Sequence, residues 1–384
     1  MARLARLARL ALALAWLPGV CAAAPCDGWP EWQAFSRHFV ADGGRVVDQS
    51  QDNKPTTSEG QSYGLFFALV ANDRPAFEQM LGWTRDNLAA GDLLARLPAW
   101  LWGRDANGRW TVLDDNSASD SDMWIAYDLL EAGRLWREPR YTAMGKLLAL
   151  RILREEAADL PGLGLTLLPG KVGFWDGKGK ARLNPSYLAP QLLARFAHAL
   201  PDSDWVKAPK SSVRVLLDGA PKGFAPDWLA YQAGKGLQPD ADSKAEGSYN
   251  AIRVYLWAGM LAPDAPLRAE LLKTYGPMSQ ATVKQGQPPE KVDTRSGAAE
   301  GRAPAGFSAA MLPFLEAQNE AAAVQTQLLR MQAMPLSERP DNYYDHVLTL
   351  FGQGWQQRRY RFARNGQLLP AWEGSCAASR PASR

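Results

Sequence analysis

Apolar side chains recur at three- and four-residue spacing along most of the chain, which is the period of helices with one buried face. Residues 60–90, 120–157 and 248–274 each predict a helix, a short turn and a second helix, and residues 307–333 and 342–364 look similar. Proline beside charged or small residues marks the breaks, as in NDRP at 72–75. The pattern therefore predicts an all-α protein built from helical hairpins.

The predicted hairpins repeat at a nearly constant interval. Residues at or just before the first helix of successive hairpins lie 58 to 67 positions apart, and they are Glu59, Asp120, Tyr187, Tyr249 and Phe307. Self-similarity at a near-fixed period is typical of stacked supersecondary units. Six helical hairpins can close into a toroid of inner and outer helices. The starts of the inner helices would then converge on one face, where we expect the functional residues.

Strand signals are local. Asn107 and Gly108 lie between Trp102 and the β-prone residues 110–113, which predicts a two-stranded hairpin. Residues 171–183, with GKG at 177–179, predict a second hairpin. We expect both hairpins to rim a cleft rather than to form a core sheet.

The first residues have the features of an export signal. Three arginines precede an apolar run at 10–20, and three alanines follow at 22–24. This order predicts a secretory signal peptide over residues 1–24, with a membrane anchor as the alternative. We expect residues 25–384 to form a single domain that is periplasmic or secreted and not inserted in a membrane once the signal is removed.

The charge balance changes when that segment is set aside. The whole chain has 43 basic and 40 acidic residues, and residues 1–24 hold three arginines and no acid. The remaining chain is formally neutral, so it lacks the basic field that a nucleic-acid partner would favour. A neutral, polar polymer fits this surface better.

The chain has few residues that commonly bind metals and no motif that is typical of a cofactor site. Cys26 and Cys376 remain near the ends of the exported chain, where an oxidising compartment favours a disulfide between them. Only three histidines occur, at wide spacing, and no glycine-rich phosphate loop or dinucleotide-binding fingerprint is present. We expect neither a bound metal nor a cofactor.

Two acidic segments are candidates for chemistry. Glu59 lies at a predicted helix start after Ser58, a residue that could cap the helix, so an ordinary favourable interaction with the helix dipole also explains it. Residues 114–122 (DDNSASDSD) hold four more acids before an apolar helix. They are consistent with a solvated capping loop, a catalytic carboxylate or a calcium loop, but the glycine and terminal Glu of a calcium loop are missing.

Aromatic residues are abundant, with fifteen Trp in the chain. Flat aromatic faces suit the axial C–H patches of pyranose rings, and Trp and Tyr tolerate water at one end. We expect Tyr63, Trp100 and Trp102 to contact sugar in a cleft.

The sequence resembles glycoside hydrolase family 8 over almost all of the chain between Cys26 and Cys376. The motifs that carry the resemblance are SEGQSYG at 58–64, ASDSD at 118–122, NPSY at 184–187 and YNAIR at 249–253. Ser121 departs from the Gly or Ala that is common in the second motif. Segments 96–103 and 348–355 are most similar to the branch encoded beside bacterial cellulose synthases.

This resemblance implies an (α/α)6 barrel, an inverting hydrolysis of β-1,4-glucan chains and proximity to a cellulose synthase complex. Glu59 matches the family's proton donor. Asp120 matches the carboxylate that grips the distorted sugar, which is sometimes described as a nucleophile. Tyr187, Tyr249 and Arg253 match residues that line the cleavage site. An inverting pair of carboxyls stands roughly 6.5–9.5 Å apart, and the donor needs a raised pKa.

One position departs from the family. The usual general base is an Asp directly after the Tyr of the fourth motif, and this chain has Asn250 there. Another acid such as Glu246, Asp242 or Asp240 can supply the base, or the enzyme is weak, or the protein binds glucan without cutting it. A chitosanase or xylanase of the same family is a further alternative.

Overall fold

The structure is a computed structural model that describes residues 28–374. The predicted signal peptide and both cysteines of the predicted disulfide lie outside the described residues. Thirteen α-helices occur in the described part of the chain. They are α1 Pro30–Phe39, α2 Ser58–Val70, α3 Arg74–Asn87, α4 Ser119–Leu135, α5 Pro139–Glu156, α6 Pro190–Ala199, α7 Ala208–Asp218, α8 Ile252–Gly259, α9 Arg268–Thr274, α10 Gly276–Gln285, α11 Ala305–Ala317, α12 Ala321–Gln332 and α13 Tyr343–Gln356.

The helices form the (α/α)6 barrel that the sequence predicts. Helices α2, α4, α6, α8, α11 and α13 form the inner ring, in which α2 packs on α4, α4 on α6, α6 on α8, α8 on α11 and α11 on α13. Aromatic rings close the ring between α13 and α2, where the Phe351 centroid lies 4.7 Å from that of Phe67. The outer partner of α13 is α1, so the sixth hairpin joins the two ends of the described chain.

The inner and outer helices differ in how much of their surface is buried, as their patterns of apolar residues predict. In α2 every residue except Glu59 is buried, because the helix is covered by neighbours on all sides. In the outer helix α3 only one stripe is buried, and it consists of Phe77, Met80, Leu81 and Thr84. An all-round apolar helix predicts an inner position, and a one-sided helix predicts an outer one.

Glycine lets two inner helices approach closely. A Cβ added to Gly352 in α13 would overlap the backbone carbonyl of Ala309 in α11. A side chain at position 352 would therefore push the two helices apart.

The strands are short and lie in the connections. They are β1 Val40–Ala41, β2 Arg45–Val46, β3 Thr56–Thr57, β4 Leu101–Arg104, β5 Trp110–Asp114, β6 Ala157–Leu160, β7 Gly164–Leu167, β8 Lys180–Leu183, β9 Leu229–Gln232, β10 Gly236–Pro239, β11 Glu246–Gly247, β12 Lys291–Asp293, β13 Ala299–Glu300, β14 Tyr360–Phe362 and β15 Leu368–Pro370. Their pairings are antiparallel, in sheets of two or three strands.

The two predicted hairpins have different outcomes. Strands β4 and β5 form the first, with Gly108 at φ +77° in the connecting turn. The second was predicted within residues 171–183, where the turn forms but pairing is limited to one bridge between Trp175 and Ala181. The main partner of β8 is β9, in an antiparallel ladder that runs from Lys180 opposite Gln232 to Leu183 opposite Leu229. Local turn signals could not show this long-range partner.

Candidate active site

Glu59 lies in the first turn of α2, where the strand–helix junction holds it in place. The sequence suggested Ser58 as the cap, but the capping residue is Thr57, whose hydroxyl accepts from the Gly60 N–H at 3.0 Å. The Ser58 N–H donates to the Trp100 carbonyl at 3.0 Å. Glu59 is the one α2 residue that is not buried, with 24% of its side chain exposed.

Asp120 occupies the equivalent place in the first turn of α4. The hydroxyls of Ser58 and Ser121 lie 2.6 Å apart, which ties the starts of α2 and α4 together. Asp120 is far less exposed than Glu59, since only 4% of its side chain is accessible. Its Oδ1 accepts the Ser121 N–H at 2.8 Å. The two carboxyls therefore belong to one site, with Glu59 nearer to solvent.

Arg253, at the start of α8, connects most of the site residues. Its guanidinium forms an ion pair with Glu59 and lies 4.0 Å from Asp120. It also donates to Asn250 Oδ1 at 2.8 Å and to Ser186 Oγ at 3.0 Å. Only 5% of the Arg253 side chain is exposed, so these contacts are largely shielded from water.

Asn250 stands at the position of the expected base, and its amide is held from two sides. Its Oδ1 accepts from Arg253 and from Asn184 Nδ2, the latter at 3.2 Å. The carbonyl oxygen is thus directed at donors, and the remaining atom of the group is an NH2. This amide can donate a hydrogen bond but cannot take a proton from water at neutral pH.

Burial and the charge of Glu59 raise the pKa of Asp120 to about 8, against the opposing effect of Arg253. Asp120 therefore retains its proton more readily than an ordinary aspartic acid, while Arg253 forms its ion pair with Glu59.

A second pair of acids is buried behind Asp120. Burial raises the pKa of Glu156 to about 8, and its Oε1 accepts from Ser117 Oγ at 2.5 Å. Burial and the neighbouring Glu156 raise the pKa of Asp122 well above its ordinary value. The acidic segment is therefore divided between the site and the interior. Within residues 28–374 no group of three or more His, Cys, Asp or Glu side chains is arranged to hold a metal ion.

The aromatic residues named from the sequence have different environments. Trp100 and Tyr249 are partly exposed, at 36% and 46%. The Trp102 ring lies between Trp83 and Trp110, with both centroids 5.2 Å away. Arg45 also lies over Trp102, 4.4 Å from its centroid. Trp102 therefore belongs to an aromatic cluster formed by helix α3 and the β4–β5 hairpin.

Tyr63 and Tyr187 differ in how much of each side chain is exposed. Tyr63 is 1% exposed and packs edge-on against Trp124 and Phe351, so it supports the floor of the site from behind rather than offering a sugar-stacking face. Tyr187 is half-buried, and its ring centroid lies 5.9 Å from the Arg253 guanidinium carbon.

Several residues of the site carry no clear sequence signal. The Tyr344 hydroxyl donates to the Tyr249 carbonyl at 2.6 Å. Trp228 lies parallel to Phe174, at 3° and 6.0 Å, under the Arg182 guanidinium. Asp227 accepts backbone N–H groups of the Asn250 segment. Tyr344 lies at the start of α13, which does not follow the interval of about 60 residues between the other helix starts. Asp227 and Trp228 lie in the irregular connection between α7 and β9. The helical periodicity could therefore not identify these three residues.

The acids proposed as substitutes for the base are engaged elsewhere or exposed. Asp240 is buried in a two-pronged ion pair with Arg182, with both bonds at 3.1 Å. Glu246 is 3.4 Å from Lys291 Nζ. Asp242 is exposed. Among the described residues Asn250 forms no hydrogen bond with any of these three acids.

Taken together, an (α/α)6 barrel whose inner helix starts gather two carboxyls, a buried arginine and flanking aromatic rings defines a carbohydrate-cleaving class of enzyme. Residues 5–358 match the family model of "Glycosyl hydrolases family 8". The chain is 52% identical to an endoglucanase of Escherichia coli O157:H7, over 91% of this chain and 93% of that protein. It is 48% identical to an endoglucanase of Xanthomonas axonopodis pv. citri (strain 306), over 98% and 99%.

A solved structure extends the similarity to three dimensions. The endo-1,4-D-glucanase from Vibrio fischeri ES114 superimposes with a TM-score of 0.82 at 45% identity, covering 90% of this chain and 99% of that one. This chain belongs to glycosyl hydrolase family 8. It is a glycoside hydrolase, an endoglucanase. Among residues 28–374 none of the helices combines the length and the hydropathy of a membrane-spanning segment.

Proposed function

We propose that this endoglucanase hydrolyses internal β-1,4 bonds of cellulose-like glucan with inversion at the anomeric carbon. The observation that carries the proposal is the pairing of Glu59 and Asp120 through Arg253 on the open face of the barrel. The names of the similar endoglucanases support a β-glucan substrate.

In this mechanism Glu59 donates a proton to the leaving glycosidic oxygen as the bond to the anomeric carbon breaks. Its partial exposure lets it reach that oxygen, whereas the nearly buried Asp120 holds hydroxyls of the sugar at the cleavage point. Glucan entering the site displaces Glu59 from its ion pair with Arg253. A carboxylate on the other face of the ring activates the attacking water.

The cellular setting is part of the proposal. The N-terminal sequence supports export, and the resemblance to enzymes encoded beside cellulose synthases supports action in the periplasm on glucan as it is secreted. We propose that the enzyme trims nascent β-1,4-glucan near the synthase complex.

One observation favours a second candidate function. Asn250 removes the usual base, so a protein that binds glucan without cutting it would retain the same aromatic residues and Arg253. The two functions differ in turnover and not in binding.

The deciding measurement is reducing-sugar release from carboxymethylcellulose, with product anomers followed by proton NMR. We expect the wild type to release α-anomers first and Glu59→Gln to lose activity by at least about 10²-fold. Glu270→Gln, at an exposed position on the outer helix α9, is the matched control and should behave as wild type. Oligosaccharide binding without release by the wild type would instead establish the non-hydrolytic function.

A further inference from the structure

We propose that Asp227 is the general base that replaces the missing carboxylate at position 250. This inference rests on the proposed inverting hydrolysis and names the residue that activates its water. The carboxyl lies in the connection before β9 and reaches the segment that carries Asn250.

The contacts of Asp227 fix it against that segment. Its Oδ1 accepts three backbone N–H groups, from Ser248 at 2.8 Å, Asn250 at 3.0 Å and Ala251 at 2.7 Å. All three donors lie in the segment immediately before α8, two to five residues from Arg253. One oxygen of Asp227 is therefore committed to holding the loop that presents Asn250.

The other oxygen is the one available for chemistry. In the described part of the chain Oδ2 of Asp227 makes no hydrogen bond, and the residue is only partly buried, so a water molecule can reach it. Burial raises the pKa of Asp227, although its three N–H contacts oppose this effect. A base with a raised pKa accepts a proton more readily near neutral pH.

Asp227 is linked to the site through Asn250, whose N–H donates to Asp227 and whose Oδ1 accepts from Arg253. Burial raises the pKa of Tyr344, the charge of Arg253 opposes this effect, and the charges of Glu59, Asp227 and Asp120 add to it. One tyrosine thus lies within the fields of all three acids. By contrast, Asp240 is neutralised by Arg182 and Glu246 lies beside Lys291.

The proposed step balances with groups already on the chain. Water attacks the anomeric carbon and forms a new C–O bond, while one of its protons passes to Asp227 Oδ2. The glycosidic C–O bond breaks, and its oxygen takes the proton of Glu59. Asp227 then releases its proton to solvent and Glu59 regains one. The NH2 of Asn250 remains a donor that orients the attacking water.

Asp227→Asn tests the role without removing the loop contacts, because the amide oxygen still accepts the three N–H groups. We expect kcat on cello-oligosaccharides to fall by about 10²–10⁴-fold with little change in KM, and the acidic limb of the pH profile to disappear. Glu246→Gln and Asp242→Asn are matched carboxyl-to-amide controls and should keep wild-type rates.

Asn250→Asp separates a base from a structural support. In the Asp227→Asn background this change should restore at least about a tenth of the wild-type kcat, because Arg253 and Asn184 would hold one oxygen of the new carboxylate and leave the other for water. In the wild-type background it should change kcat less than about threefold. A full rate in Asp227→Asn, or a failure of Asn250→Asp to restore activity there, overturns the role of Asp227.

A failure of the proposed inverting hydrolysis would give a different experimental result from a failure of the Asp227 assignment. If the wild type releases no sugar from any β-1,4-glucan, inverting hydrolysis fails and the base assignment fails with it. If the wild type is active and Asp227→Asn is equally active, only the assignment of Asp227 fails.

Discussion

The guanidinium of Arg253 binds the carboxylate of Glu59 although 194 residues separate the two positions. Helix α8 supplies the arginine and α2 supplies the acid, and neither helix is the sequence neighbour of the other. The barrel makes this contact by bringing the inner helix starts to one face. The ion pair is therefore a direct consequence of ring closure, and Arg253 links the acid, the base position and the floor of the site.

Arg253→Lys should lower kcat by at least about 10²-fold. Lysine keeps the charge, but it lacks the planar fork that reaches Glu59, Asn250 and Ser186 together. Steady-state kinetics on cello-oligosaccharides measure the effect, and thermal unfolding shows whether the variant is folded. Arg295→Lys, an exposed position with 62% of its side chain accessible, is the control. A near-normal rate in Arg253→Lys would show that charge alone suffices.

The sequence predicted the helical ring because its signals are local. The spacing of apolar residues predicts that α2 is buried on all sides and α3 on one side. The residues of each turn lie between the two helices that it connects. The fold class and the family are confirmed. The role of α1 as the outer partner of α13 was not predicted, because it joins segments about 300 residues apart.

The site was predicted only where a short motif marks it. Glu59, Asp120 and Arg253 lie together as the helix starts implied, and their catalytic roles stay predictions. Tyr63 shares a motif with Glu59, yet it points into the core because α2 is surrounded by neighbours. Asp227 was not predicted, because its hydrogen bonds are to backbone N–H groups of a loop. Such contacts do not depend on the side chains of the loop and so cannot be read from the sequence.

The buried acid Glu156 should make stability fall as pH rises. Its folded pKa, about 8, is above the ordinary value of 4.5, so the unfolded chain releases a proton that the folded chain retains. Unfolding is therefore increasingly favoured between about pH 4.5 and pH 8. Glu156→Gln removes this proton release, and we expect it to raise the free energy of unfolding at pH 8 by about 1–3 kcal/mol.

Calorimetric melting at pH 5 and pH 8 checks this expectation. The melting temperature of Glu156→Gln should change less between the two pH values than that of the wild type, and Glu270→Gln should follow the wild type. An unchanged pH dependence in Glu156→Gln would mean that Glu156 does not carry the effect.

Gly352 and Gly82 should respond oppositely to alanine. A Cβ at Gly352 would overlap the Ala309 carbonyl, and backbone cannot move aside cheaply, so we expect Gly352→Ala to destabilise the fold by about 2–4 kcal/mol. A Cβ at Gly82 in the outer helix α3 meets nothing within 4 Å. Gly82→Ala should therefore stabilise the protein by about 0.5–1 kcal/mol. Denaturant titration of both variants measures the difference, and equal shifts would contradict the close approach of α11 and α13.

The disulfide between Cys26 and Cys376 stays a prediction, and the described residues next to each end share a contact partner. Arg359 donates to the Gly28 carbonyl at 3.3 Å, and the Arg359 carbonyl accepts the Ala371 N–H at 2.8 Å. Arg359 thus contacts both end segments. Gly28 lies two positions from Cys26, and Ala371 lies five positions from Cys376. A disulfide there would close almost the whole chain that follows the predicted signal peptide into one loop.

Loss of this disulfide should lower the free energy of unfolding by roughly 2–5 kcal/mol, mainly because a long loop in the unfolded chain would no longer be closed. Non-reducing peptide mapping of protein purified from the periplasm should give one linked peptide that contains both cysteines. Cys376→Ser should melt at a lower temperature than the wild type under oxidising conditions and at the same temperature under reducing conditions. Free thiols at both positions in exported protein would contradict the pairing, and equal melting under both conditions would show that it does not stabilise the fold.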